Sequence, residues 1–239
     1  MDRLDNEREH GKKISGHAEE VWGWASPAGK LRADRRAGYL YGMGKYKKSD
    51  KLLEIGCGTG LFTEKVYDAT HAHIIATDIS EDLIIVARET HPIAEYKVDD
   101  AMNLSFIDNS FDGVYGSSIL HHLDMDKAMR EIYRVLKPGG STVFAEPNMM
   151  NPQILIQKNI PFIKKALGDS PDETAIVRWK MKKMMENIGF KNVKVFPYDF
   201  LHPYTPVFMI PLVNFIGRVV EKIPLLKEIA GSHIVYGEK

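Results

Sequence analysis

The sequence predicts an α/β fold in which a mostly parallel sheet carries helices on both faces. Two observations indicate this class. Short apolar segments alternate with helical patterns through the middle of the chain, as is typical of parallel sheets with crossover helices. A glycine-rich loop over 56–60 follows the first apolar segment, where open α/β sheets place a ligand-binding turn. With 239 residues, 44% of them apolar, the chain can bury a substantial core.

Each element follows from a local pattern. We expect the following strands and helices: strands over 51–56, 73–78, 95–98, 112–116 and 141–146, and helices over 60–68, 81–89 and 125–136. Lys-Pro-Gly-Gly at 137–140 predicts a turn before the fifth strand. A further helix is expected over 173–187, closed by Gly189 as its C′ residue, before strands over 192–198 and 232–236.

The loop over 52–60 reads Leu-Leu-Glu-Ile-Gly-Cys-Gly-Thr-Gly and indicates a ligand cradle. Glycine permits positive φ angles and lacks the Cβ that would hold a ligand away from the backbone. A phosphate-binding P-loop requires GxxxxGK followed by Ser or Thr, and no lysine stands at that place. A dinucleotide loop requires GxGxxG, but the third glycine comes one residue early, at Gly60. A nucleoside ligand without a pyrophosphate remains.

Two acidic residues extend this pattern. Asp78 ends a β-branched run 22 residues after Gly56 (78 minus 56), near the spacing at which Rossmann-type folds place a carboxylate on ribose hydroxyls. The alternative is that Asp78 caps the next helix, although Ser80 is better placed for that role. Asp100 follows the third strand beside Asp99, and the alternative for both acids is a turn role.

Four blocks, in order, carry a family resemblance: ExGxGxG at 54–60, Asp78, Asp-Ala-x-x-Leu-x-Phe at 100–106, and a block over 111–140 containing Leu-His-His and Lys-Pro-Gly-Gly. They resemble the motifs of class I S-adenosylmethionine (SAM) dependent methyltransferases, in the small-molecule subgroup that includes the ubiquinone and menaquinone C-methyltransferases. Ser105 replaces the family's proline. The resemblance spans roughly 51–147 and implies a Rossmann-like seven-stranded sheet of order 3-2-1-4-5-7-6 with an antiparallel last strand.

The resemblance implies SAM as the cofactor. Asp100 would then accept a hydrogen bond from the adenine amino group, and Glu54 would brace the glycine loop or reach the methionine amino group. The cofactor-binding residues implied in this way are Glu54, Gly56, Cys57, Gly58, Gly60, Asp78, Ile79, Asp100, Ala101 and Ser117.

We expect a single methyltransferase domain over 1–239. A helical lid would occupy 1–48, the SAM-binding core 49–147, and the acceptor-side helices and last strands 148–239. In this family the central sheet carries the cofactor and the flanking segments choose the acceptor. The sequence therefore leaves open the acceptor, its methylated atom and the oligomeric state.

Candidates for a catalytic base lie at the ends of two later strands. Transfer from a sulfonium requires alignment of the acceptor, and a base only where the acceptor carries a proton of high pKa. His121, His122 and Glu146 are the candidates; the alternatives are structural or cofactor-shaping roles for the histidines and a backbone hydrogen bond for Glu146. His202 and Tyr204 form a third set on a proline-containing loop.

The segment 21–36 pairs Trp22 and Trp24 with a basic helical stretch. Its arginines share one helix face at i, i+3 and i+4 spacing: Arg32, Arg35 and Arg36. One interpretation is a lid whose indoles cover the cofactor cleft and whose arginine binds an acceptor phosphate or carboxylate. The other is a helix packed by its aromatic residues, with a solvated basic face.

Two apolar segments, 154–165 and 206–227, flank the expected acceptor pocket. They are too short to span a bilayer, which needs about 20 apolar residues, but they suit peripheral contact with a membrane surface. The alternative is that they cover the sheet and each other, forming a dry acceptor pocket or a dimer contact.

The single Cys57 and the charged amino terminus favour a cytoplasmic protein.

Charge and motif exclude some partners. Lys plus Arg and Asp plus Glu balance at 32 each, so no global field attracts nucleic acid. Residues 116–119 read Gly-Ser-Ser-Ile, where enzymes that methylate exocyclic amines of bases carry Asp/Asn-Pro-Pro-aromatic. No metal is expected.

The prediction is methyl transfer to a small molecule, with a lipophilic quinone, lipid or isoprenoid-like acceptor as one option. A non-catalytic SAM-binding regulator, a methyltransferase acting on a macromolecule and a NAD-dependent oxidoreductase remain alternatives.

Overall fold

A seven-stranded sheet lies at the centre of the structure. The structure is a computed structural model, and it describes residues 3–160, 162–163 and 175–239. Its strands are β1 (Lys51–Ile55), β2 (His73–Asp78), β3 (Glu95–Val98), β4 (Phe111–Ser117), β5 (Leu136–Pro147), β6 (Lys191–Tyr198) and β7 (Ser232–Glu238). The order is β3-β2-β1-β4-β5-β7-β6. Neighbouring strands from β3 to β5 are parallel, whereas β7 pairs antiparallel with both β5 and β6. The expected order and antiparallel last strand are confirmed.

Helices surround this sheet. In the described part of the chain they are α1 (Arg3–Ile14), α2 (Ala18–Val21), α3 (Pro27–Gly44), α4 (Leu61–Thr70), α5 (Glu81–Thr90), α6 (Met125–Val135), α7 (Pro152–Asn159), α8 (Arg178–Ile188) and α9 (Ile210–Val220). Short 3-10 turns span Leu120–His122, Val207–Met209 and Leu226–Ile229. Local capping fixes several starts: Ser26, with Pro27 after it, accepts a hydrogen bond from the Gly29 amide at the start of α3.

The core lies on both faces of the sheet because alternate side chains of each strand point in opposite directions. Leu52 packs in a cluster with α3, α4 and α5, and Leu53 packs in a second cluster with α6 and α8. Both residues are fully buried. Burial on both faces explains why the parallel strands read as continuous apolar runs.

Two expected boundaries are wrong. Within the expected helix 173–187, residues 173–174 lie outside the described residues, and helix begins only at Arg178. Ile176 instead forms a parallel bridge with Asn148, which holds this stretch extended. The expected strand 141–146 extends over the whole of β5, because Leu136 already pairs with Phe111 before a register shift. Gly189 does follow α8, with a φ of 120°.

The amino-terminal helices lie over the carboxyl ends of the strands. At Gly11, a Cβ would lie 2.4 Å from the Ser80 hydroxyl oxygen, so α1 contacts the start of α5 directly. Farther along, α3 packs against the sheet through Ala33, Ala37 and Leu40. The expected amino-terminal segment therefore has two parts, of which α1 and α2 cover the sheet edge and α3 belongs to the core.

Candidate functional site

A cavity of about 370 Å³ opens at the carboxyl ends of β1, β2, β3 and β4. Parallel strands bring these ends to one edge, which is where open α/β sheets bind ligands. The candidate residues that line the cavity are Gly56, Cys57, Gly58, Asp78, Ile79, Asp100, Ala101, Ser117, His121 and His122. The other three, Glu54, Gly60 and Glu146, are not part of its lining.

The glycine loop is in close contact with two apolar side chains. Gly58 has a φ of +54°, and a Cβ there would lie 2.8 Å from the ring of Trp22. Gly56 has a φ of +68°, and its Cβ would lie 2.5 Å from Ile119. Only glycine fits both the backbone conformation and the space. Trp22 therefore rests directly on the loop and closes one side of the cavity.

Asp78 connects the end of β2 to the glycine loop. One carboxylate oxygen accepts from the Gly58 amide and the other from the Ser80 amide, both at 2.9 Å. Burial raises the pKa of Asp78, against the opposing effect of these amides. The cap of α5 is Ser80, whose hydroxyl accepts from Leu83, so the alternative of Asp78 as the N-cap is wrong. Each oxygen keeps capacity for a further donor from the cavity.

Glu54 lies beneath the loop, 1% exposed. Its Oε2 accepts from the Thr63 hydroxyl at 2.6 Å and from the Tyr115 hydroxyl at 3.0 Å. Burial raises the pKa of Glu54 to about 8 despite these two donors. The side chain links β1 to α4 and β4, which is a bracing contact.

The two acids after β3 have different contacts, although both line the cavity. Asp99 accepts from the amide and hydroxyl of Ser105 and so closes its own loop. Asp100 accepts from the Met102 amide at 2.8 Å through Oδ1 only. The turn role expected as the alternative is thus present at both residues, and it leaves Oδ2 of Asp100 for another donor.

Glu146 and His121 form a buried pair. The Glu146 carboxylate is fully buried; Oε1 accepts from the Ile119 and Leu120 amides, both at 2.9 Å, and Oε2 lies 2.8 Å from His121 Nδ1. Burial by itself would raise the pKa of Glu146, but His121 and the two amides outweigh it and hold the pKa below its ordinary value. An ionised carboxylate makes Nδ1 the donor, so Nε2 of a neutral His121 is the acceptor.

His122 contacts the amino-terminal helix rather than the sheet. Its Nδ1 lies 3.1 Å from a carboxylate oxygen of Glu7, and its ring centre lies 4.1 Å from that of His121. The third candidate set lies outside the cavity lining: His202 contacts Gln153 at 3.2 Å, and Tyr204 is 74% exposed.

The arginines of α3 are not solvated, so the interpretation of this helix as one with a solvated basic face is wrong. Arg32 pairs with Asp199 at 2.8 Å, and Arg35 donates to Glu221 at 2.7 Å. Arg36 is 3% exposed and contacts hydroxyl groups. The sequence pattern identified the shared helix face but not the partners, which come from distant segments.

Sequence patterns missed the contribution of α1. Leu4, Glu7, Gly11 and Ile14 line the cavity. Their spacing of three, four and three residues places them on one helix face, which is the signal that could have indicated a buried face in this charged segment.

The described residues contain neither a metal site nor a membrane-spanning helix. Across 3–160, 162–163 and 175–239, no group of three or more His, Cys, Asp or Glu side chains is arranged to hold a metal ion. None of the helices in that part of the chain is long and apolar enough to cross a membrane.

The motif-bearing part of the chain matches a known family. Residues 53–144 match the family described as "Methyltransferase domain". This match covers the glycine loop, Asp78, Asp100 and the His121 turn, which are among the residues that line the cavity. The chain contains a class I SAM-dependent methyltransferase domain. SAM is the cofactor of this domain.

Similarity extends to proteins of several organisms. The chain is 28% identical over 174 residues to an uncharacterised methyltransferase-like protein of Schizosaccharomyces pombe, an alignment covering 72% of this chain and 67% of that protein. It is 36% identical over 110 residues to a demethylmenaquinone methyltransferase of Symbiobacterium thermophilum, covering 42% of this chain and 44% of that protein. The second alignment spans less than half of the relative.

A solved structure shares the whole fold. In a complex of a Haloferax volcanii putative methyltransferase with the Trm112 methyltransferase activator, the match has a TM-score of 0.70 at 17% identity and covers 95% of this chain and 96% of that chain. At this identity the likeness concerns the fold. It extends the similarity beyond 53–144 to the flanking helices and the last two strands.

Proposed function

We propose that the protein transfers the methyl group of SAM to a small lipophilic acceptor and that His121 accepts the acceptor's proton. One observation carries this proposal: a single cavity is bordered by the glycine loop, Asp78 and Asp100 on one side and by His121, held by Glu146, on the other. The residues suit the cofactor, because both carboxylates line the cavity and retain acceptor capacity for its hydroxyl and amino groups.

In this proposal each side chain has a distinct role toward the cofactor. Asp78 would accept from ribose hydroxyls and Asp100 from the adenine amino group. Ser117, at the end of β4, would donate to the amino-acid part, while Glu54 would keep the loop in place without contact to the cofactor. The segment containing Trp22 would act as a lid formed by α1 and α2, a shorter lid than the expected 1–48 because α3 belongs to the core.

Bound SAM supplies an activated methyl group on a sulfonium, and the protein supplies position and proton transfer. Trp22 and Trp24 border the cavity and exclude water from it. His121 takes the proton of a phenol-like or acidic-carbon acceptor at Nε2. Glu146 stabilises the imidazolium that results, because its ionised carboxylate already contacts Nδ1.

A lipophilic acceptor is supported by the apolar surface, which we define as the exposed side chains Val207, Phe208, Leu212, Phe215 and Leu225. They are exposed by 66, 84, 58, 68 and 83%, respectively. α9 buries only Ile210 and Gly217, so most of its apolar side chains stay available for a membrane surface or for a second subunit. Arg218 and Lys222 lie exposed beside the apolar surface. Apolar side chains with flanking cations suit an anionic membrane surface.

The apolar segment around α7 borders the cavity. Gln157 and Lys158 line the cavity, while Leu155 and Ile156 are about half exposed. Residues 161 and 164–165 of the expected segment 154–165 lie outside the described residues. An acceptor that partitions into a membrane would thus enter the cavity past α7. The Symbiobacterium relative, named for demethylmenaquinone, supports a quinone-type acceptor.

Turnover with radiolabelled SAM and a short-chain demethylmenaquinol tests the reaction. We expect labelled product from the wild-type protein and a loss of about two to four orders of magnitude in rate for His121→Ala, with SAM affinity retained. Tight SAM binding without turnover of quinol, phenol and lipid acceptors would instead indicate a regulator. Labelling of a macromolecule in a cell extract would indicate the macromolecular alternative.

Vesicle sedimentation tests the membrane contact. Phe208→Asp is expected to abolish binding to anionic vesicles and to leave SAM affinity unchanged. Ile107→Asp is a matched control, because Ile107 is 81% exposed but lies outside the apolar surface. Absence of wild-type binding to neutral and anionic vesicles would reject the membrane proposal, and a concentration-dependent dimer would favour a subunit contact.

A further inference from the structure

The buried guanidinium of Arg36 has only uncharged hydrogen-bond partners among the described residues. Arg36 donates to four hydroxyl groups, at 2.6 to 3.1 Å: those of Ser117, Ser118, Tyr198 and Ser232. Its ring neighbour is Trp24, whose centre lies 4.9 Å from the guanidinium carbon. No carboxylate in the described part of the chain lies within ion-pair distance of Arg36.

The two other arginines on this face of α3 differ from Arg36 because each has a carboxylate partner. Arg32 pairs with Asp199 and Arg35 with Glu221, so each of those partly buried cations has its own anion. Burying a charge without a counter-charge is unfavourable, because the group loses its hydration and gains no opposite charge in return. Four hydroxyl dipoles offset part of that cost, and an anion bound nearby would offset more of it.

The two serines connect Arg36 to the cavity. Both Ser117 and Ser118 line the cavity, whereas Arg36 lies behind them. Each serine oxygen accepts a hydrogen bond from Arg36, so its lone pairs are engaged by a cation. The hydroxyl hydrogen of each serine must then be donated elsewhere, and no acceptor for it lies among the described residues. The cavity wall therefore presents two donors polarised by a buried positive charge, an arrangement that suits a carboxylate.

The position along the sheet identifies which carboxylate. Asp100 follows β3 and Asp78 ends β2, so the adenine and ribose of the proposed function occupy that side of the cavity. Ser117 and Ser118 lie at the end of β4, beyond β1 in the sheet order. The amino-acid end of an elongated cofactor falls there.

We propose that Arg36 is a positioning residue whose contacts with Ser117 and Ser118 create a receptor for the methionine carboxylate of the cofactor. This inference rests on the proposed function, because it takes SAM as the ligand. It assigns a binding role to an arginine that does not itself border the cavity. Arg36 acts by orienting the serine hydroxyls and by supplying the positive charge behind them.

Calorimetric titration with two ligands tests this role. S-adenosylhomocysteine carries the carboxylate, and its decarboxylated counterpart, an adenosyl thioether of propylamine, does not. The wild-type protein should bind S-adenosylhomocysteine at least tenfold more tightly than the decarboxylated ligand. Arg36→Met should lower the affinity for S-adenosylhomocysteine by about ten- to hundredfold, which corresponds to the loss of one to two charge-assisted hydrogen bonds. The affinity for the decarboxylated ligand should change less than twofold.

Controls separate binding from folding. Arg35→Met makes the same substitution one residue earlier, at an arginine that pairs with Glu221 outside the cavity, and should change neither affinity more than twofold. The double variant Ser117→Ala/Ser118→Ala removes only two oxygens and should show the same selective loss if Arg36→Met fails to fold. If a folded variant loses affinity equally for both ligands, or for neither of them, the proposal is overturned. Failure of the wild-type protein to bind either ligand would overturn the proposed function as well.

Discussion

At the residue scale, Glu54 and Glu146 show how local donors decide the charge of a buried carboxyl group. Both are almost completely buried. Glu146 receives two backbone amides and His121, and its pKa lies below the ordinary value. Glu54 receives two neutral hydroxyls, and its pKa is raised to about 8. The first side chain can therefore orient a base, and the second is a neutral brace at moderate pH.

The raised pKa of Glu54 predicts a pH dependence of stability. The folded state holds the Glu54 proton up to about pH 8, while the unfolded chain releases it near 4.5, so this stabilising contribution is lost as pH rises through that window. Glu54→Gln, which can still accept from Thr63 and Tyr115, should remove this loss. The stability difference between variant and wild type should shift in favour of the variant by about 1.4 kcal/mol for each unit of pKa shift. Urea unfolding at pH 5 and pH 8 measures it; an unchanged difference would contradict the raised pKa.

The carboxylate of Asp78 predicts a loss of cofactor affinity on neutralisation. Asp78→Asn removes the charge and one acceptor, and charge-assisted hydrogen bonds are worth about 1.5 to 3 kcal/mol. SAM affinity should fall about ten- to hundredfold in a calorimetric titration. Asp68→Asn, at an exposed aspartate of α4, is the control and should have no effect. Equal affinity of the Asp78 variant and the wild type would exclude the ribose role.

At the scale of elements, the helices α1 and α2 and the glycine loop form one contact unit. Trp22 rests on Gly58, Glu7 contacts His122, and Glu19 lies 3.3 Å from the Thr59 hydroxyl. These contacts join the amino-terminal segment to the ends of β1 and β4. Closure of the segment over a ligand would therefore depend on a small number of side chains.

This contact unit predicts slower backbone hydrogen exchange over 3–24 when S-adenosylhomocysteine binds, because closure protects amides otherwise open to water. Hydrogen-exchange mass spectrometry measures the change, with α8, on the other side of the sheet, as an internal reference. Trp22→Ala should reduce the protection and lower turnover more than stability. The same exchange rates with and without ligand would show that the segment is fixed cover rather than a lid.

The elements also show where the sequence is informative. The glycine loop and Asp78 could be located because their chemistry depends on neighbouring residues within one strand and turn. Two sites could not, because their partners are far apart in the chain: Gly11 is packed against Ser80, and Arg36 donates to Ser232. The helix expected over 173–187 began late for the same reason, since Ile176 pairs with a distant strand end instead of continuing a helical pattern.

At the scale of the whole molecule, the proposed function divides between two regions of the fold. The residues proposed to hold the cofactor lie at the ends of β1 to β4, and their motifs made that side predictable. The acceptor side that we propose involves α7, α9 and the loop containing His202, where no motif marks the residues and composition alone indicated apolar character. Whether those apolar side chains are buried or exposed depends on the whole fold, and no local sequence pattern could establish it.

The central claim is that the cavity at this sheet edge binds SAM, and direct calorimetric titration of the wild-type protein with SAM tests it. We predict saturable binding of one SAM per chain, competition by S-adenosylhomocysteine, and no heat of binding with NAD under the same conditions. A folded protein that binds NAD but not SAM, or binds neither, would contradict the account.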